Sequence, residues 1–184
     1  FTTAPVLTDG IINFAVIENR AGLDQGFQFA SRRDPSAGLK PFNNLLEVYT
    51  ATTAALTGLA GIEGTHSFGT DFSVSSNTRN VRLTGSQSLT GATLANAVLL
   101  ANGGIVIGGN TLNIDSGLLV SNGTGNSIAS TVTTLTLGGT DGNVFVAEDG
   151  ELTIGANIAG ATGSLGKQGT GRLITSGANT FTGL

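Results

Sequence analysis

The chain has 184 residues, 11% of them charged, a formal net charge of -4, 29 glycines, and no cysteine or methionine. Its eight Lys and Arg are scattered, so the clustered cations that bind phosphate are missing and nucleic acid is excluded as a partner. The absence of cysteine removes disulfides and thiolate metal sites, and no apolar run reaches the roughly 18 residues of a membrane helix: the longest, Ala95 to Gly108, is broken by Asn96, Asn102 and two glycines.

A cysteine-free chain of this length can bury a core, and it fits an exported bacterial protein that stays unfolded during secretion. No signal peptide precedes Phe1, and Thr182-Gly183-Leu184 closes the chain without a polar cap. It reads as an internal piece of something longer, or as a processed product.

Composition divides the chain near residue 80. The first part holds six of the eight basic residues, counting Arg82, and seven of the nine Phe. Its candidate strands are Ile11–Ile17, Gly26–Ala30 and Leu45–Tyr49. A polar loop, Ser31 to Asn44, carries Arg32-Arg33-Asp34-Pro35 and Lys40-Pro41, and proline keeps it out of a central ladder, so it projects from the stack. Thr50 to Gly64 is extended or briefly helical. The aromatics Phe27, Phe29, Phe42 and Tyr49 read as a cap on one end of a stack with Arg32 and Arg33 solvated, or else as a contact surface for glycan or protein.

After residue 80, short strand-like pieces recur: Val81–Leu83, Ala97–Leu100, Gly104–Ile107, Thr111–Ile114, Leu118–Val120, Thr134–Leu137, Val144–Val146, Leu152–Ile154, Leu173–Thr175 and Asn179–Phe181. Thr111-Leu112-Asn113-Ile114 and Thr134-Leu135-Thr136-Leu137 put Leu and Ile on one face and Thr and Asn on the other. Corners such as Asn102-Gly103, Asn122-Gly123 and Asp149-Gly150 separate them, and these supply the positive φ of tight turns. Strands this brief cannot bury a face alone and need a similar layer stacked on them, which is solenoid logic. A β-sandwich is the runner-up, because strands at this spacing also fit one. At about 20 residues per coil and about 4.8 Å per layer, the whole chain would make roughly nine coils.

Catalysis would need paired carboxylates across a cleft. Glu148, Asp149 and Glu151 cluster at one turn, but they read as a solvated corner. His66 beside Ser67 reads as a surface or packing residue. Gly138-Gly139-Thr140-Asp141-Gly142-Asn143 echoes a calcium-binding nonapeptide without repeating, and no phosphate cradle is present. No catalytic, cofactor-binding or metal-ligating residue is expected.

The last segment, Ile158 to Gly183, carries Gly163, Leu165, Lys167, Gly169, Gly171, Leu173, Gly177, Ala178, Asn179, Thr180, Phe181 and Gly183 in a spaced pattern. It resembles the autotransporter-associated β-strand repeat, or passenger-associated transport repeat. That family's pattern runs approximately Gly-x-Leu-x-Lys-x-Gly-x-Gly-Thr-Leu-x-Leu-x-Gly-Ala-Asn-Thr-Tyr-x-Gly. The match departs at Phe181, at Arg172, and at Ile174-Thr175, where the polar and apolar order reverses and sets a Thr at an inward position.

The resemblance implies an all-β, right-handed parallel β-helix. On this reading residues 1–80 form an irregular, aromatic-rich, cap-like part, and residues 81–184 form regular coils ending in the repeat at 158–183. It further implies a stalk, adhesin or matrix-fibre segment on the surface of a Gram-negative-type bacterium, or secreted from it. The expected partners are neighbouring coils, copies of the same protein, or a surface glycan or host-cell protein, with no membrane insertion by this segment and no cofactor. Gly169, Gly171 and Gly177 would turn corners, Leu165 and Leu173 would enter the core, and Asn179 would bond backbone at its turn or stack in an Asn ladder. The alternatives are a self-assembling filament or surface-layer subunit and, ranked lower, a carbohydrate-active β-helix enzyme.

Overall fold

The computed structural model describes Ile11 and residues 16–19, 26–31, 40–41, 67–138, 141–159 and 164–181. Near the start, β1 (Val16–Asn19), β2 (Gly26–Ser31) and β3 (Lys40–Pro41) form an antiparallel sheet in the order β1-β2-β3. Pro41 therefore belongs to an edge strand and not to a wholly projecting loop; an edge tolerates proline because one side of the strand needs no donor. Leu45–Tyr49 and Thr50 to Gly64 lie outside the described residues.

The strands that follow are β4 (Ser67–Gly69), β5 (Arg79–Leu83), β6 (Ser86–Ser88), β7 (Thr93–Ala95), β8 (Ala97–Ala101), β9 (Ile105–Ile107), β10 (Thr111–Ile114) and β11 (Leu118–Asn122). They continue with β12 (Asn126–Ile128), β13 (Thr134–Leu137), β14 (Gly142–Val146), β15 (Glu151–Ile154), β16 (Asn157–Ala159), β17 (Leu165–Gln168) and β18 (Arg172–Thr175). They build three sheets, ordered β17-β14-β11-β8-β5-β4, β18-β15-β12-β9-β6 and β16-β13-β10-β7. Every pairing in these three sheets is parallel. The chain visits the sheets in turn, so the fold is an all-β parallel solenoid and the sandwich reading falls.

Among the described residues there are about 4 turns, and not the nine expected of the whole chain. Coil length varies about the expected 20 residues: bonds between stacked layers join residues 16, 20, 22, 23 and 25 apart. The described strands before Ser67 are antiparallel and add no coil.

Alternation within strands becomes columns between them. Val81, Val98, Leu119 and Val144 stack in register, as do Leu112, Leu135 and Ile158, and Val106, Ile128 and Ile154. All are fully buried in one cluster. At the corner after β8, Asn102 (φ 48) and Gly103 (φ 95) both take left-handed backbone. The Asn-Gly pair thus turns a solenoid corner, and no hairpin follows it.

A second cluster lies on the outer face of the six-stranded sheet. Ala97, Leu99 and Ala101 of β8 and Leu118 and Val120 of β11 point away from the main core, yet they are buried with Ile11 and packed by Val16 and Phe145. Both faces of β8 and β11 are covered, which is why these strands read as continuous apolar runs.

Candidate functional site

The repeat segment forms the last described coil. Leu165 and Lys167 lie on β17, where they stack in register on Gly142 and Val144; Leu173 and Thr175 lie on β18 over Leu152 and Ile154. Leu165 is buried, and Leu173 and Phe181 are half-buried against the core. Lys167 and Thr175 continue inward columns occupied by aliphatic residues one layer below. The Lys167 side chain is exposed there, and its Nζ donates to the Gly169 carbonyl. Thr175 follows from the reversed order at Ile174-Thr175.

Close approach of backbone accounts for the glycines. A Cβ on Gly169 would strike the Val146 carbonyl oxygen, one on Gly171 the Ala147 carbonyl oxygen, and one on Gly177 the Ala156 carbonyl oxygen. Gly171→Ala is expected to loosen this coil by about 1–3 kcal/mol, the usual cost of overpacking. Hydrogen exchange would read it at the Arg172 amide, which donates to Gly150 at 2.9 Å, with exchange at the central strand β11 unchanged.

Residues 179–181 form no strand but are tied down nonetheless. Asn179 Oδ1 accepts from the Ile158 amide at 3.0 Å, Asn157 Oδ1 accepts from the Ala178 amide at 2.8 Å, and the Thr180 amide donates to the Ile158 carbonyl at 2.9 Å. Two asparagines on adjacent layers thus each accept from the amide of the residue beside the other, Asn179 from Ile158 and Asn157 from Ala178, through backbone and not through a side-chain ladder. Gly163 and Gly183 lie outside the described residues.

Sequence reasoning missed a highly connected polar side chain, Asn126 at the start of β12. Its Oδ1 accepts from the amides of Gly103 (3.1 Å) and Gly104 (3.0 Å) one layer below. Its Nδ2 donates to Ser121 Oγ (2.9 Å) and to the carbonyls of Asn122 (3.0 Å) and Gly123 (3.3 Å). A side chain with both donor and acceptor can serve a corner in this way, and the only sequence signal was an Asn set among glycines.

The acidic cluster does not converge on a cleft. Glu148 and Asp149 are exposed at a corner where Asp149 takes φ 57, and the half-exposed Glu151 Oε2 lies 3.4 Å from Arg172 Nη1. Among the described residues no group of three or more His, Asp or Glu could hold a metal ion. His66 lies outside the described residues.

Hydrogen bonds from the Ser73 hydroxyl and then the Ser73 amide hold the Asp71 carboxyl below the ordinary carboxylate value; desolvation opposes them, and Arg79 adds a smaller lowering. A lowered folded value means that its contribution is complete above the ordinary carboxylate range and is lost as pH falls through the lowered value. The protection of the Ser73 and Ser76 amides, taken relative to the intrinsic exchange rate at each pH, should therefore fall on acidification, locally, and Asp71→Asn should flatten that pH dependence.

No family model matches the chain, and no solved structure matches it. Over 102 residues, 54% of its length, it is 34% identical to the adhesin BmaC autotransporter of Brucella suis biovar 1 (strain 1330). The chain spans 3% of that protein's length. It is thus similar, over about half its length, to a short stretch of an autotransporter adhesin, and it has the stacked parallel coils expected of a passenger-type repeat.

Proposed function

We propose that the chain is a structural module of a bacterial surface-displayed or secreted autotransporter-like protein, a stalk, adhesin or extracellular-fibre segment. The observation that carries this reading is a core made of layers that each contact only their neighbours, joined to the likeness with an autotransporter adhesin. Such a stack extends without a new core and can form layer by layer as the chain emerges from a membrane. On this reading residues 158–183 are one copy of a passenger repeat, and residues 1–80 act as the irregular, cap-like part. The protein lies outside a Gram-negative-type cell and works by presenting surface to a glycan, a host protein or its own copies, not by catalysis. The separated carboxylates support the last point; hydrolysis of a polysaccharide that Asp149→Asn or Glu151→Gln abolishes would overturn it.

The test of display uses the full parent protein in its own cell. An epitope inserted at Gly109, an exposed corner with open space around it, should be reached by antibody on intact cells and removed by external protease. An epitope reached only after lysis would defeat the proposal.

The outer edges of β17 and β18, on which no strand pairs among the described residues, favour a second reading, a subunit that assembles through its ends. Concentration-dependent filaments of the isolated chain would select it.

A further inference from the structure

β4 and β5 are parallel neighbours, yet residues 70–78 between them supply no strand to the other two sheets. The connection is too short for a coil and runs across the lower end of the stack. Phe72, 9% exposed, joins the main core cluster there. The Ser76 amide donates to the Leu94 carbonyl at 2.9 Å, and the Leu94 amide donates to Ser75 Oγ at 2.8 Å. Leu94 lies in β7, the end strand of the four-stranded sheet. The loop thus occupies that strand's free edge.

The loop is also braced from within. Asp71 Oδ1 accepts from the Ser73 amide at 2.9 Å and from Arg79 Nη2 at 3.2 Å. Arg79 Nη1 donates to the Val74 carbonyl at 3.3 Å, and the Arg79 amide donates to the Ser76 carbonyl at 3.2 Å. At the opposite end β17, β18 and residues 178–180, which lie on β16 through the Ile158 amide and carbonyl, make up a last layer, and among the described residues no strand pairs with the outer edges of β17 and β18. That layer follows the course of the coil beneath it, whereas the lower end is closed by the short loop 70–78.

We propose that residues 70–78 are an edge cap that stops a second copy of this chain from adding its upper end to this lower end. Head-to-tail addition is heterologous and does not close on itself, so uncapped copies would grow into filaments. Stacking must register all three sheets at once, and blocking the β7 edge while plugging the core with Phe72 is enough to prevent it. This goes beyond the role as a display module and needs only the parallel stacking.

The test opens the cap in the whole chain. In Ser75→Ala/Ser76→Pro, both bonds to Leu94 are lost while the core strands keep their residues. The variant should sediment as dimers and longer species at concentrations where the unaltered chain sediments as one species, with the β-sheet circular dichroism signal retained. Adding Thr175→Pro should restore the single species. The amides of Arg172 and Ser176 point back to Gly150 and Ile154, so alternation turns the Thr175 amide to the open edge, where proline removes a donor without breaking the existing ladder.

A folded cap variant that sediments like the unaltered chain would overturn the proposal, and so would association that survives Thr175→Pro. If the cap variant does not fold, hydrogen exchange of the unaltered chain decides. Leu94 and Ser76 amides protected like those of the neighbouring coils support the cap, and exchange at the rate of open chain refutes it.

Discussion

Asn126→Ala is expected to cost about 3 kcal/mol, because each buried group left without its partner costs about 1–3 kcal/mol. The loss strikes two layers at once. The amides of Gly103 and Gly104 lose their acceptor in the lower layer, and the Asn122 and Gly123 carbonyls lose a donor in the same layer. Asn126 is 2% exposed, so water cannot readily take its place. Asn126→Asp separates the two roles: a carboxylate keeps both acceptor bonds and can accept from the Ser121 hydroxyl, but its approach to the Asn122 and Gly123 carbonyls becomes contact between oxygens. Both variants should lower the midpoint of denaturant unfolding, and exchange at the Gly103 and Gly104 amides should rise in the alanine variant alone. A stability change under about 0.5 kcal/mol, as for an ordinary surface substitution, would show that the corner does not depend on this side chain.

Leu119→Ala is expected to destabilise by about 3–4 kcal/mol, within the range for a buried leucine whose surroundings relax only in part. Leu119 sits in β11 between Val98 and Val144 in register, fully buried. Because each layer touches only the adjacent ones, the damage should be graded. Exchange should quicken most in β11, less in β8 and β14, and least in β18. Uniform quickening across all strands would mean that the solenoid unfolds as one cooperative unit instead of a near-linear chain of layers.

The inward columns were legible because their cause is local. Thr111–Ile114 and Thr134–Leu137 were read from alternation alone, and they are β10 and β13 with Leu112 facing Leu135 and Ile114 facing Leu137. Among the strands that escaped notice, Ser86–Ser88, Thr93–Ala95, Asn126–Ile128 and Asn157–Ala159 are each three residues long and rich in polar or small residues, and Ser67–Gly69 and Leu165–Gln168 were missed beside them. Their stability comes from the layers beside them, and a single strand's composition carries no trace of that. The outer apolar cluster was hidden for a related reason: the run Ala97–Ala101 was visible, but Ile11 and Val16, which help cover it, lie far away in sequence. The number of coils was misjudged because the stack was extended over the whole chain, whereas the described strands before Ser67 pair antiparallel and add no coil. In the last coil a Cβ on Gly169, Gly171 or Gly177 would strike backbone, and Leu165 is buried, both local requirements of the kind a sequence carries. The reciprocal bonds of Asn157 and Asn179 were not legible, since they exist only between layers.

That mixture of constant columns and variable corners has an evolutionary consequence. A residue added at Gly109, whose side-chain direction is open, enlarges the perimeter of one layer without altering what stacks above or below. A residue added inside β10 would slip Leu112 and Ile114 out of their columns. Selection can therefore remodel the rim of this protein while its interior columns stay fixed, so related chains should diverge at the rim first.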